Sequence, residues 1–365
     1  MNRNFSIYLD LLRVLAALTV VIDHMIMLTP ASFLWHLRPL GHEAVIVFFV
    51  LSGFVISYAV EVKDRDLSTF TISRLARLYS VLLPCLIVTP LLNLVGSHVN
   101  PGAYVYHYTG QTSLSAIIQN GLFLNQIWFG NVAYFHNGPL WSLSYEFWYY
   151  VIFGLAFFLR GRARTIAVLA ACLIAGPKIL LLMPIWLMGA AAYRLTKCYL
   201  PTWLSALLTF GSALAIFAYF RLHLDVGLNQ LSAAAIGSTH LDAYHFSRFF
   251  IADTALGLMV TAHFIGAAGI AHHMRFGAAT AFIRSAAGFT FSIYLFHLPL
   301  LYFGNALLPH GLSANWRATA IFTLAAGGSC LMGLVTERKK YLYVRALSAI
   351  RARWLPAVKP ARETA

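Results

Sequence analysis

The sequence predicts an all-α, polytopic membrane protein with about ten transmembrane helices. Of its 365 residues, 60% are hydrophobic and only 10% are charged, whereas about 25% of residues are charged in an ordinary soluble domain. The net charge of +14 comes from Lys and Arg in short segments between apolar runs, a pattern typical of membrane orientation. The composition excludes a soluble enzyme, a disordered chain and a secreted disulfide scaffold, and the charge placement argues against a nucleic-acid partner.

Ten apolar runs are interpreted as spans, because roughly 20 helical residues cross ~30 Å of hydrocarbon. The fifth run is short and ends at Gly176-Pro177, so the fifth and sixth are expected to form a tight re-entry rather than two standard helices. The ten runs lie near residues 7–28, 41–60, 75–95, 140–159, 165–176, 179–194, 203–222, 249–270, 286–307 and 316–336.

Charge placement predicts that both termini are cytoplasmic. With the N-terminus inside, the ten spans place 20 of the 26 Lys and Arg residues on the cytoplasmic side and five outside, as the positive-inside rule requires. The apolar segment 114–130 contains two Asn and two Gln residues, and it is predicted to be an interfacial or partly re-entrant helix. An eleventh span there would move the basic run 160–164 to the outside.

The chain is predicted to consist of a membrane-embedded domain, residues 1–337, and a basic cytoplasmic tail, residues 338–365.

The four Cys residues show no spacing typical of a disulfide framework or a metal site. The histidines are dispersed, and the sequence contains neither HExxH nor a facial-triad pattern. No metal cofactor is therefore expected.

Ionisable residues occur in the first span, although each costs roughly 2.5–3.5 kcal/mol at the bilayer centre. They are Asp10, Arg13, Asp23 and His24. Arg13 and His24 are eleven residues apart, which places them about 20° apart on one helix face and ~16 Å apart along the axis. Their shared face indicates a polar path through the bundle. The alternative is a structural Asp10–Arg13 pair with His24 at the interface.

Two carboxylates are predicted at the depth of His24. Glu43 begins the second span, and Glu146 lies in the outer third of the fourth. A carboxylate beside the imidazole would orient it and raise its basicity, as in general-base pairs, and the sequence does not choose between the two. Asp253 and His263 in the eighth span lie about 80° apart around their helix, and no shared role is assigned to them.

Other polar features allow two interpretations each. Arg74 and Arg77 share one face at a helix start, which suits a phosphate-rich ligand from the cytoplasm, although spacing alone favours a membrane-orienting pair. Trp141 opens the fourth span, where an interface-belt residue is the ordinary explanation. His297, near the middle of the ninth span, fits a packed histidine or the polar path equally well.

Five segments occur in a distinctive order: LDLLRVLAALTVVIDH (9–24), FFVLSGFVIS (48–57), RLARLY (74–79), WSLSYEFWYY (141–150) and SIYLFHLPL (292–300). Together they resemble the acyltransferase-3 family of integral membrane acyltransferases, over about residues 6–337. Family members acylate bacterial surface polysaccharides and related acceptors. The family's motif residues fall on Arg13 and His24, on Arg74 and Arg77, and on Trp141, Ser142, Leu143 and Glu146.

The resemblance implies transfer of an acyl group, above all acetyl, from cytoplasmic acetyl-CoA or another acyl-CoA. The acceptor would be a hydroxyl of a glycan or glycolipid of the cell envelope or of an exported glycan. The protein would lie in the bacterial inner membrane. Arg74 and Arg77 would bind the donor phosphates, and Arg13 would guide the thioester end into the bundle.

The resemblance also assigns the acceptor side. His24 would be the general base on the acceptor hydroxyl, since a neutral imidazole suits that role, or it would carry a transient acyl group. Trp141, Ser142 and His297 are candidate substrate contacts. Two other classes remain as alternatives: a secondary transporter or flippase that uses the buried charges, and a non-catalytic scaffold. The scaffold gives no reason for the shared face of the first span or for the buried Glu146.

Overall fold

The computed structural model describes residues 1–30, 32–36, 39–104, 111–237, 239–309 and 311–354. Within these residues the protein is helical, and the only β pairings are two isolated bridges at one loop. The fifteen α-helices of the described chain are α1 (Arg3–Leu28), α2 (Gly41–Val62), α3 (Leu67–Val99), α4 (Leu114–Gly121), α5 (Trp141–Phe158), α6 (Gly161–Ala175), α7 (Pro177–Leu195), α8 (Thr202–Arg221), α9 (Leu224–Ile236), α10 (Leu241–Tyr244), α11 (Phe250–Ile270), α12 (Ala279–Ala287), α13 (Thr290–Leu307), α14 (Ala314–Val335) and α15 (Lys340–Trp354).

The predicted fold class is confirmed: the protein is an all-α, multi-pass membrane protein. Every predicted span corresponds to a helix, from α1 to α14. Within the described ranges, seven helical runs are long and apolar enough to cross a membrane, or eight if α12 and α13, bent by 61° relative to each other, form one span. The count of ten spans and the cytoplasmic termini stay predictions.

The connection at residue 176 is a tight turn, since α6 ends at Ala175 and α7 begins at Pro177. Whether the two helices form a re-entry stays a prediction. Gly176 has φ 82°, a left-handed conformation that glycine adopts without strain. A Cβ atom at this position would lie 2.6 Å from the Cα of Trp128, so the turn also needs a residue without a side chain.

The segment 114–130 does not form one long helix. The eight-residue α4 is followed by an irregular loop, and both contain buried amide side chains. Asn120 donates to the carbonyls of Ala116 and Val132 over 2.9 and 3.1 Å, and Gln126 Oε1 accepts from Lys178 Nζ over 2.8 Å. Buried backbone in such a loop needs these partners.

Small residues set the distance between the neighbouring helices α2 and α7. A Cβ atom at Gly53 would lie 1.9 Å from the carbonyl oxygen of Trp186, and one at Gly189 would lie 1.9 Å from that of Val50. The two glycines therefore let the helix backbones touch, which is the usual way in which membrane helices pack.

The two ends of the helix bundle differ in the residues that they carry. The basic end is where α1 begins and where α15, the described part of the predicted tail, packs against α3. Arg284 there lies 3.6 Å from Asp10, and Glu337 accepts hydrogen bonds from the backbone N–H and the hydroxyl of Ser292 over 3.0 and 3.1 Å. The opposite end is where α1 ends and where α9 lies.

Candidate active site

Four adjoining cavities follow one another between the two ends of the bundle. We name them the mouth, central, histidine and acidic cavities, in order from the basic end. Their linings include Asp10, Lys63, Arg284 and Lys340 in the mouth cavity, Ser52, Glu146 and Tyr150 in the central cavity, His24, Trp141 and Phe246 in the histidine cavity, and Glu43, Asp225, Asn229 and Asp253 in the acidic cavity. The mouth and central cavities share Arg13, Arg74 and Arg77.

The remaining boundaries are also shared. Val45 and Tyr294 line both the central and the histidine cavities, and Asp23, Gly41 and His42 line both the histidine and the acidic cavities. The four cavities therefore form one series through the bundle. Helices α1 and α2 line all four, since they contribute residues to each.

Arg13, Arg74 and Arg77 converge at the boundary between the mouth and central cavities. Arg13 lies 3.4 Å from Asp10 and Arg74 lies 3.2 Å from Asp64. The Nε of Arg77 is buried and has no hydrogen-bond partner among the described residues. A buried, unpaired guanidinium N–H is costly, so this arrangement is suited to an anion that enters from the basic end.

Glu146 lies in the central cavity with these arginines. Its Oε1 accepts hydrogen bonds from Ser52 over 2.8 Å and from Tyr150, and the hydroxyl of Ser52 also accepts from the indole N–H of Trp186 over 3.2 Å. These contacts fix the carboxylate, and Glu146 is the acidic side chain that lines the central cavity together with the three arginines. Glu146 is thus placed in a cavity next to that of His24.

His24 is instead in contact with His297. The Nδ1 of His24 lies 2.9 Å from the carbonyl oxygen of Val20 and 3.3 Å from the Nε2 of His297. The Nδ1 of His297 lies 3.0 and 2.8 Å from the carbonyls of Ile293 and Tyr294. Because a carbonyl can only accept, each Nδ1 carries the proton. The Nε2 of His24 is then the basic nitrogen, and His297 supports that tautomer.

Ser142 and Tyr294 lie where the central cavity meets the histidine cavity. The two hydroxyl oxygens are 2.7 Å apart, and each hydroxyl also lies 3.3 Å from the carbonyl oxygen of Pro139. Trp141 lines the histidine cavity, where it stacks on Phe246 with ring centroids 4.2 Å apart. The motif residues Trp141 and Ser142 therefore belong to the cavity walls.

The structure also reveals a histidine–aspartate pair that sequence reasoning missed. The Nε2 of His42 lies 2.9 and 3.0 Å from the two carboxylate oxygens of Asp253, and both residues line the acidic cavity together with Glu43. Asp253 had been compared only with His263, on the same helix. In the ten-span topology Asp253 and His42 both lie near the outer ends of their spans, and this shared depth could have indicated the pair.

A comparison with known proteins identifies the family. The acyltransferase domain model of the acyltransferase-3 family matches residues 6–334. The chain belongs to this family. It is therefore a membrane acyltransferase, and both the family resemblance and the enzyme class expected from the sequence are confirmed. No solved structure matches the chain.

Two curated relatives agree with this assignment. The chain is 27% identical over 314 residues to the acyltransferase MdmB of Streptomyces mycarofaciens, covering 80% of this chain and 77% of the relative. It is 30% identical over 151 residues to an O-acetyl transferase of Shigella phage Sf6, covering 40% of this chain and 44% of the relative.

Across the described ranges, no group of three or more His, Cys, Asp or Glu residues is arranged to hold a metal ion.

Proposed function

We propose that the protein transfers an acetyl group from cytoplasmic acetyl-CoA to a hydroxyl of a glycan or glycolipid acceptor, at the bacterial inner membrane. The observation that carries this proposal is the series of cavities between the two ends of the bundle. An arginine cluster lies towards the basic end, and a histidine with a defined basic nitrogen lies towards the opposite end. The family favours this function over a transporter or flippase that would use the same buried charges.

The donor would bind from the basic end. Coenzyme A carries a diphosphate and a further phosphate, and guanidinium groups bind phosphates through bidentate hydrogen bonds. The mouth cavity has a volume of about 460 Å³ and carries Lys63, Arg284 and Lys340 in addition to the three arginines. The nucleotide would occupy this cavity, and Arg74 and Arg77 would bind its phosphates. Arg13, further along α1, would guide the thioester into the central cavity.

The acceptor would react beside His24. The Nε2 of His24 would remove the proton of the acceptor hydroxyl while the hydroxyl oxygen attacks the carbonyl carbon of the thioester. The C–O bond forms and the C–S bond breaks, and the proton held on His24 passes to the departing thiolate. His297 would keep His24 in the reactive tautomer. Glu146 would fix the arginine cluster rather than orient His24, and Trp141 and Ser142 would bound the space for the substrates.

The test is complementation of a bacterial host that lacks the gene. Wild type, His24→Ala and Arg13→Ala would be expressed, with membrane levels compared by blot, and ester-linked acetyl groups on envelope glycans would be released by mild alkali and quantified by mass spectrometry. Acetyl ester should appear with wild type and be lost in both variants. Unchanged ester in His24→Ala would refute the general-base assignment. Equal ester in wild-type and empty-vector cells would refute a cell-envelope acceptor.

A further inference from the structure

The acidic cavity has a composition unlike that of the rest of the series. Its volume is about 280 Å³ and it lies at the opposite end from the arginine cluster, between α1, α2, α9 and α11. Its polar lining in the described chain contains carboxylates, an imidazole, an amide and the phenol of Tyr219, without Lys or Arg. The residues other than Tyr219 are Asp23, His42, Glu43, Asp225, Asn229 and Asp253. None of them has a role in the donor site.

The polar atoms of this cavity are predominantly hydrogen-bond acceptors. The Asp253 carboxylate is 4% exposed, and it accepts the Nε2–H of His42 over 2.9 Å. In the neutral form of His42 the Nδ1 is then an acceptor nitrogen. It is buried without a hydrogen-bond partner among the described residues, as is the Oδ1 of Asn229. Buried polar atoms without partners point to a ligand that supplies the missing donors.

The walls around His42 are aromatic. Its ring is nearly parallel to that of Trp141, with centroids 6.1 Å apart and an angle of 13°. Phe249 meets the His42 ring edge-on at 5.3 Å. Flat apolar faces next to a row of acceptors match a sugar ring, which has C–H faces and hydroxyl donors at its edge. Through His42, Asp23 and Gly41 the acidic cavity continues into the cavity of His24.

We propose that the acidic cavity is the acceptor subsite, that it holds an uncharged, polyhydroxylated sugar ring, and that it excludes anionic sugars. The inference rests on the proposed function in that the sugar held here is the acyl acceptor. The His42–Asp253 pair and the neighbouring carboxylates accept hydrogen bonds from hydroxyls of the ring, and a further hydroxyl of the same sugar points to His24. Carboxylates in a partly buried cavity repel a uronate or a phosphorylated sugar.

The test measures binding separately from transfer. Protein in nanodiscs is titrated with p-nitrophenyl β-glucoside or with p-nitrophenyl β-glucuronide, which differ by one carboxylate, and binding is followed by saturation-transfer difference NMR. We expect at least tenfold tighter binding of the glucoside by wild type. Asp253→Asn should weaken glucoside binding at least tenfold, and Glu43→Gln should reduce the preference over the glucuronide.

Matched variants distinguish a binding role from a structural one. His42→Phe keeps the aromatic contacts and removes both nitrogens, whereas His42→Asn keeps an acceptor near the position of Nδ1; binding should be lost in the first and partly retained in the second. His263→Asn alters another half-buried histidine, which contacts Ser212 and Tyr8 away from the cavity, and this variant should bind like wild type.

The outcomes separate this inference from the proposed function. Equal binding of the two probes by wild type, or unchanged glucoside binding in both Asp253→Asn and His42→Phe, overturns the inference even if acetyl transfer occurs. Failure to transfer acetyl from acetyl-CoA to any sugar, with the charge preference intact, refutes the proposed function and leaves the cavity as a sugar-binding site.

Discussion

Arg77 provides the sharpest test of the donor site. Its Nε is buried without a partner among the described residues, and it lines both the mouth and central cavities. A hydrogen bond to a charged group contributes about 1.5–3 kcal/mol. At about 1.4 kcal/mol per factor of ten, Arg77→Gln should lower kcat/KM for acetyl-CoA by roughly 10- to 150-fold, with Arg77→Lys in between because it keeps the charge.

The assay compares two donors in nanodiscs with one acceptor. Acetyl-pantetheine has the same thioester as acetyl-CoA but none of its phosphates, so Arg77→Gln should reduce turnover of acetyl-CoA far more than that of acetyl-pantetheine. Arg160→Gln, at an exposed position before α6, controls for a general loss of positive charge. An equal loss with both donors, in a variant of normal thermal stability, would refute the phosphate-binding role of Arg77.

Three further predictions concern the base, the helix packing and the topology. His297→Phe removes the acceptor next to His24, so kcat should fall at least tenfold with KM for acetyl-CoA unchanged; an altered KM alone would contradict the tautomer argument. Gly189→Ala should lower stability by about 1–3 kcal/mol through overpacking, measured by thermal unfolding in detergent, whereas Gly327→Ala, with open space around it, should not. A fluorescent protein fused to the C-terminus should fluoresce, and an alkaline phosphatase fused there should be inactive, if the tail is cytoplasmic.

The helices could be predicted because the membrane constrains the sequence strongly. Apolar runs of the required length predicted every described helix of 18 or more residues, and helix geometry alone placed Arg13 and His24 on one face of α1. The structure lines the central cavity with Arg13 and the histidine cavity with His24. These relations lie within one helix, where the spacing of 3.6 residues per turn determines which side chains share a face.

Contacts between helices could not be predicted in the same way. The rotation of each helix about its axis and the choice of its neighbours depend on packing, and periodicity within one segment contains neither. From the sequence, Asp253 could be compared only with His263 on its own helix, whereas the structure pairs Asp253 with His42 on α2. For the same reason Glu146 was placed beside His24 on predicted membrane depth alone. The hydrogen bonds of Glu146 to Ser52 and Tyr150 hold this carboxylate in the central cavity.

The difference in charge between the two ends of the series limits which substrate each end can hold. The charged lining of the central cavity consists of three guanidiniums and the Glu146 carboxylate, which favours a polyphosphate, whereas the acidic cavity has carboxylates without Lys or Arg and would repel the same ligand. Between them, Ser142 and Tyr294 form the boundary at which the thioester and the acceptor hydroxyl would meet. A donor and an acceptor selected by opposite charge environments cannot exchange places, so the donor would bind on the side of the basic end and the acceptor on the side of the opposite end.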